Sequence, residues 1–224
     1  MIDQNQLDRA SRFALNKGVK LLQGYRLADT AVGHIQRLMY YMAPGSGTRW
    51  LDVGSGFGEA ARLMRQLRPD LKFTLLNNNK FQLSHTPREL CGVHGDMHRL
   101  PFADADFDGV MFLYSLCHAD DLAQVLAEAH RVTRPGGALF IYDYARTGGD
   151  NDLTEKHLNS YFWTYAEFYR IATETGWKVA MFRLVQLETQ GSDAVFREMA
   201  ENDVLYDTLM GGLEPVIWKG RRDV

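Results

Sequence analysis

An acidic residue followed by three alternating glycines, Asp52-Val53-Gly54-Ser55-Gly56-Phe57-Gly58, is the densest group of residues in the chain with an obvious chemical use. Glycine accepts positive φ and lets a ligand approach the main chain closely. The spacing is GxGxG, whereas a dinucleotide-binding loop sets its third glycine one place later, where the helix packs around a pyrophosphate. A carboxylate two residues before the first glycine repels a pyrophosphate and attracts a cation. Asp52, Gly54, Ser55 and Gly56 are therefore candidate contacts for a positively charged ligand. The plain alternative is a tight strand-to-helix turn that binds nothing.

Other candidates follow at strand-like spacing. Asn77 lies 23 residues past Gly54, where folds with such a loop hold a ribose-binding residue. Its amide can accept from one hydroxyl and donate to another, or the run Asn77-Asn78-Asn79 can simply form a turn. His118 follows an apolar run and can titrate near neutral pH. It is the first candidate for a catalytic base, with Asp143 and Tyr114 behind it. His118 can equally cap a helix starting near Asp120 or pack against a neighbour. Asp143, between Tyr142 and Tyr144, can orient a substrate or hold a cation against a diphosphate. Six aromatics crowd into residues 161–169, YFWTYAEFY. Part of that set packs a helix onto a sheet and the remainder lines a pocket. The histidines show no metal-ligand spacing, so no metal site is expected.

These residues need a scaffold that brings strand ends together. Apolar runs at 49–53, 72–76, 93–95, 109–114, 138–144 and 178–187 alternate with helical segments at 59–67, 80–85, 121–132 and 165–175. Runs such as VMFLY and ALFIY are apolar at consecutive positions, as in strands covered on both faces. Alternating β and α segments imply parallel strands joined by right-handed crossovers, with ligands at the carboxyl ends of the strands. The first 43 residues read as helical. Thr30 can cap a segment with Ala31, Ile35, Leu38, Met39 and Met42 on one face, before Pro44-Gly45-Ser46-Gly47 breaks the chain. An amphipathic stretch (Val195, Met199, Val204, Leu205, Leu209) precedes Gly211-Gly212. Residues 214–219 are a candidate antiparallel seventh strand.

Composition narrows the function classes. The 224 residues are 46% hydrophobic and 24% charged, which excludes a disordered or low-complexity chain. A net charge of −3 provides no general attraction to nucleic acid or anionic lipid. No apolar run approaches the ~20 residues of a membrane span, and the polar start MIDQNQLDRASR is not a signal peptide. Two cysteines are too few for a disulfide framework. A cytoplasmic protein acting on a small molecule is expected, with its oligomeric state left open.

Asp52-x-Gly54-x-Gly56-x-Gly58 after the first strand, Gly95-Asp96-Met97 after the third and Arg134-Pro135-Gly136-Gly137 before the fifth together resemble class I S-adenosylmethionine-dependent methyltransferases, over residues 51–144. The resemblance implies a Rossmann-like α/β fold. That means a mostly parallel seven-stranded sheet with helices on both faces and N-terminal helices over the active site. It implies S-adenosyl-L-methionine as cofactor, leaving S-adenosyl-L-homocysteine. It also implies that Asp96 accepts from the adenine amino group and that Met97 lies on the ring. On that pattern residues 1–224 form one domain, with a helical cap (1–43), a cofactor core (49–144) and a substrate-side segment (145–224).

Two shorter stretches are more specific. Asn77-Asn78-Asn79-Lys80-Phe81-Gln82 is similar to the N-N-N-x-[YF]-Q of sterol C-methyltransferases, and Cys117-His118-Ala119 to their C-H-A. This resemblance implies that Asn77, Asn78 and Gln82 lie near the cofactor and that the reaction is C-methylation of an alkene in a sterol or other isoprenoid. Tyr114 stands where that family has an acid. Residues 1–43 lack its aromatic, glycine-rich motif, and the long C-terminal sterol-binding part has no counterpart. A smaller isoprenoid is therefore expected, with O- or N-methylation of a small aromatic or amine metabolite as the alternative. The GxGxG spacing disfavours a nicotinamide-type binder. Leu113-Tyr114-Ser115-Leu116, in place of an Asn-Pro-Pro-Tyr-like motif, disfavours a nucleic-acid methyltransferase.

Overall fold

The computed structural model describes residues 4–22, 27–148, 160–185 and 212–224. In chain order the elements are α1 (Gln4–Asn16), α2 (Ala31–Met42), β1 (Arg49–Val53), α3 (Glu59–Leu67), β2 (Lys72–Asn77), α4 (Lys80–Ser84) and β3 (Cys91–His94). There follow β4 (Phe107–Leu113), a 3₁₀ turn (Leu116–His118), α5 (Leu122–Val132), β5 (Thr133–Arg146), α6 (Tyr165–Glu174), β6 (Trp177–Leu184) and β7 (Leu213–Arg222). The seven strands form one sheet in the order β3-β2-β1-β4-β5-β7-β6. The first five are parallel; β7 runs antiparallel to both β5 and β6. Strand order reverses between β1 and β4, which opens the crevice where α/β sheets take ligands.

The consecutive apolar residues of the strands divide between two cores. Leu51, Val53, Val110, Phe112, Leu139 and Ile141 face α5 and α6. Trp50, Leu75, Met111, Phe140 and Tyr142 face α2 and α3. This two-sided burial is the physical reason the runs carry no polar alternation. Helix starts are set by local caps. Thr30 Oγ1 accepts from Gly33 N at 3.0 Å and Asp121 Oδ1 from Gln124 N at 2.9 Å. Thr164 and Glu167 form a reciprocal capping box at α6.

Several boundaries differ from the sequence expectation. The first 43 residues are not one helical stretch: α1 ends at Asn16 and the chain is irregular from Lys17 to Leu22, passing Gly18 at φ +73°. The third strand is Cys91–His94, not 93–95. Arg134-Pro135-Gly136-Gly137 lies inside β5, because the pairing with β4 skips from Phe107↔Thr133 to Gly109↔Ala138 and absorbs the turn as a bulge. Strand six ends at Leu184. The amphipathic stretch at 195–209 lies outside the described residues, while the seventh strand is present and antiparallel. Among the described residues no helix is long and apolar enough to cross a membrane.

Candidate active site

The loop after β1 adopts the conformation its glycines permit. Gly54, Gly56 and Gly58 all have positive φ, at +73°, +56° and +73°. Gly54 N and Ser55 N both donate to Leu76 O, at 2.8 and 3.1 Å, which holds the loop against the end of β2. Gly54 lies against Ser115, and a Cβ there would overlap that side chain. At Gly56 the space is open: the nearest atom to an added Cβ is Leu22 Cδ1, at 3.8 Å. Beside this opening two polar atoms are buried with no hydrogen-bond partner among the described residues, Asp52 Oδ2 and Ser55 Oγ. Burial pushes the Asp52 carboxyl up to about 7. A buried acceptor left without a donor costs roughly 1–3 kcal/mol. A ligand carrying N–H donors and positive charge supplies what both atoms lack.

The asparagine run faces a different partner. Asn77 Nδ2 donates to Gly56 O at 3.1 Å and to Gln82 Oε1 at 2.8 Å, and Asn77 Oδ1 accepts from Asn79 N at 3.0 Å. Both amide hydrogens of Asn77 are thus engaged, and one lone pair of its oxygen remains for a hydroxyl. Asn79 caps α4 through its bond from Gln82 N and donates to Gln4 and Asp8 of α1. Gln82 Nε2 donates to Ser11 Oγ at 2.8 Å. Asn78 is half-buried, and its carbonyl lies 3.2 Å from His94 Nε2. Asn77, Asn79 and Gln82 therefore join the glycine loop to α1. The contacts with α1 bridge 71 to 75 residues of sequence and carry no local signal.

Asp96 and Met97 follow β3. The Asp96 side chain is mostly exposed, and its Oδ1 accepts from His98 N at 2.9 Å and contacts His98 Nδ1 at 2.8 Å. His98 Nε2 lies 2.8 Å from Asp120 Oδ1. Met97 packs at the edge of the α5-side core.

The three base candidates occupy two faces. Tyr114, at φ +56°, ends β4 and turns its ring onto Tyr142 and Tyr144, with centroids 4.9 and 5.1 Å away. Burial, then the neighbouring Tyr144 and Tyr142, raise its hydroxyl well above the usual phenol range. Tyr114 is therefore neutral near pH 7, with its hydroxyl engaged by Tyr142 and Tyr144. It is joined to the glycine loop through the next residue, since Ser115 Oγ donates to Val53 O at 2.5 Å. Asp143 lies on the opposite face of β5. Its Oδ2 accepts from Cys117 N at 3.1 Å and its Oδ1 from Tyr144 N at 2.9 Å, so it anchors the 3₁₀ turn that carries His118. Burial pushes Asp143 up to about 6 against the pull of these N–H donors. Burial and then Asp143 raise the Cys117 thiol well above its ordinary value. His118 is half-buried, with Nδ1 3.4 Å from Ser160 Oγ. It does not cap α5, because Asp121 does. No three His, Cys, Asp or Glu side chains among the described residues converge as metal ligands.

The aromatic segment divides. Phe162 approaches Tyr144 at 6.0 Å. Tyr165 stacks on Trp218 at 5.3 Å and 17°, and Phe168 and Phe182 pack on the same indole at 4.1 and 4.7 Å. Tyr161 and Trp163 help line a cavity of about 20 Å³, bounded also by Asp143, Cys117, Tyr144 and Trp218. That volume holds about one water molecule. Trp218, absent from the sequence-derived site, organises this wall; only its position in the last strand hints at it.

The comparisons with known proteins agree with this fold. Residues 51–141 match the model of the methyltransferase domain family. A sterol 24-C-methyltransferase of Aspergillus fumigatus is 32% identical over 146 residues, covering 61% of this chain and 38% of its own length. The chain thus spans well under half the length of such curated relatives. Among solved structures, a geranyl diphosphate methyltransferase in complex with GPP and sinefungin superposes with a TM-score of 0.75 at 16% identity, covering 98% of this chain and 99% of the other. A structure described as a putative sarcosine dimethylglycine methyltransferase, from Galdieria sulphuraria, gives 0.78 at 17% identity, covering 96% and 99%. The fold is the Rossmann-like fold of those solved methyltransferases, and residues 51–141 are similar to the methyltransferase domain family.

Proposed function

We propose that the whole protein is a C-methyltransferase acting on a small isoprenoid-like alkene. One observation carries the proposal. The unpartnered Asp52 carboxylate and Ser55 hydroxyl flank the open backbone at Gly56, and the tyrosine cluster of Tyr114, Tyr142 and Tyr144 stands at the next strand ends of the same crevice. The residues fit S-adenosylmethionine: Asp52 and Ser55 offer acceptors to its ammonium and hydroxyl groups, Gly56 admits it to the main chain, and Asp96 retains Oδ2 for the adenine amino group. When bound, the cofactor supplies an electrophilic sulfonium methyl for in-line displacement.

The protein's own contributions follow from charge. Methylation of an alkene carbon leaves positive charge on the acceptor, and each aromatic face stabilises a cation by roughly 0.5–2 kcal/mol. Tyr114 is half-buried at the strand end and suited to that task, while Tyr142 is fully buried behind it. A proton must then leave, and His118, on the turn held by Asp143, is the base we assign. Asp143 serves as an anchor for that turn, with its carboxylate already accepting two backbone N–H groups. The likeness to a sterol 24-C-methyltransferase in sequence, and to a geranyl diphosphate methyltransferase in fold, supports an isoprenoid acceptor.

We further assign residues 1–43 as the helical cap, 49–144 as the cofactor core and 145–224 as the acceptor side of one domain. The unpaired Cys91 and Cys117 support a reducing, cytoplasmic setting. O- or N-methylation of a small aromatic or amine is the second reading, favoured by the likeness to the Galdieria structure. The test is a labelled-methyl assay across prenyl diphosphates, sterols, phenols and amines, with the new bond located by NMR. Label on an alkene-derived carbon supports the proposal, and label only on oxygen or nitrogen overturns it in favour of the second reading.

A further inference from the structure

The amide groups between the glycine loop and the N-terminal helix form one continuous chain of hydrogen bonds. Gly56 O accepts from Asn77 Nδ2 at 3.1 Å, and the same nitrogen donates to Gln82 Oε1 at 2.8 Å. Gln82 Nε2 donates to Ser11 Oγ at 2.8 Å, and Ser11 Oγ donates to Leu7 O at 2.6 Å. Ser11, Asn77 and Gln82 are all buried. The chain therefore runs through buried side chains from the residue that admits the cofactor to the backbone of α1. Two further contacts seat the same helix: Asn79 Nδ2 on Gln4 and Asp8, and the Arg12 guanidinium 4.1 Å above the Phe81 ring. Beyond α1 the chain passes over the loop, where Leu22 is the nearest neighbour of the open face of Gly56.

Three features make this a coupling device as well as a packing contact. The Gly56 carbonyl is fixed by a side chain whose two amide hydrogens are both committed, so a shift of the loop breaks a bond to Gln82 or loses one to Gly56. Gln82 reaches α1 through Ser11, a single hydroxyl. Buried polar chains polarise one another, and each unmade bond within them costs more than one in water.

We propose that Asn77 and Gln82 are positioning residues for the cofactor, tying the glycine loop at Gly56 to Ser11 so that cofactor seating and docking of α1 are a single coupled event. This rests on the S-adenosylmethionine reading of the loop and adds to it a role for the asparagine–glutamine run. The run acts through α1 and through the loop backbone. Linkage makes the effect reciprocal: a helix that docks more tightly when the cofactor is bound must tighten the cofactor when it docks.

The test uses the full chain with S-adenosylhomocysteine as the probe, read by calorimetry and by amide hydrogen exchange over residues 4–16. In the wild type, ligand binding should slow exchange across α1. Ser11→Ala, which keeps a good helix former on α1, should remove that ligand-induced slowing and weaken binding about tenfold, the effect of one buried hydrogen bond. Gln82→Ala should do the same, and the double variant should bind no more weakly than either single one, because both break the same chain. Binding of the probe to the wild type with unchanged exchange in α1 overturns the coupling. So does wild-type affinity in Ser11→Ala, or additive losses in the double variant. Absence of probe binding to the wild type overturns the cofactor reading itself and the coupling with it.

Discussion

Ser115 closes over Gly54: its hydroxyl donates to Val53 O at 2.5 Å, and its Cβ occupies the space that a side chain on Gly54 would need. This contact locks the end of β4 to the loop after β1 at the point where strand order reverses.

Gly54→Ala should therefore be damaging twice over. The position has φ +73°, which costs an L-residue about 1–2 kcal/mol, and the new methyl meets Ser115. We expect a stability loss of about 2–4 kcal/mol in urea denaturation and no measurable S-adenosylhomocysteine binding. Wild-type affinity in a folded Gly54→Ala protein would remove the loop from the cofactor site.

Asp52 makes stability and binding depend on pH in opposite senses. Its folded pKa is about 7, above the usual 3.8, and that of Asp143 is about 6. Each contributes stability that is fully present below about pH 4 and is lost as pH rises through the folded value. The unliganded protein should therefore lose stability from these two groups between pH 4 and about 7. Asp52→Asn should flatten the upper part of that decline. The ammonium group of S-adenosylhomocysteine favours the carboxylate, so this ligand should bind more tightly as pH rises from about 5 to 7, with proton release seen by calorimetry in buffers of different ionisation enthalpy. Asp52→Asn should abolish both. A pH-independent affinity in the wild type would contradict the assignment.

Tyr114 separates cation stabilisation from proton transfer. Tyr114→Phe keeps the ring and should retain turnover within a few-fold, whereas Tyr114→Leu should lose up to about 30-fold, the upper range for one aromatic face. Equal losses in the two variants would point to the hydroxyl instead.

His118→Ala should slow turnover by about 100-fold or more, the lower range for a general base, while leaving S-adenosylhomocysteine affinity within about twofold. Asp143→Ala should behave differently, because it frees the buried N–H groups of Cys117 and Tyr144. We expect it to lower stability by about 1–3 kcal/mol per orphaned donor. A stable, fully active Asp143→Ala protein would show that the turn needs no anchor.

The parts of the molecule that are legible in the sequence are those governed by local rules. Thr30 and the glycine loop announce their elements through capping and backbone conformation, and β1 and α3 occur at the expected residues. The Arg134-Pro135-Gly136-Gly137 bulge reads as a turn because the register of β5 is decided by its pairing with β4 and not by the turn residues. Asn77 is readable as a site residue from its spacing to Gly54 and Gln82 only through resemblance, and the bond from Gln82 to Ser11 depends on where α1 folds back. Beyond its position in the last strand, Trp218 gives no sign of its place in the aromatic wall, since its partners Tyr165, Phe168 and Phe182 come from two other elements.

The ladder between β4 and β5 has a consequence for inheritance. Strands β3, β2, β1 and β4 carry the glycine loop, Asn77 and Asp96, while β5, β7 and β6 carry Asp143, Trp218 and the support for α6. The two sets meet along one seam, and the family match crosses it, ending at residue 141 inside β5. On the proposed reading, divergence beyond residue 141, in α6, β6 and β7, would exchange one acceptor wall for another while leaving intact the matched strands that would seat the methyl donor.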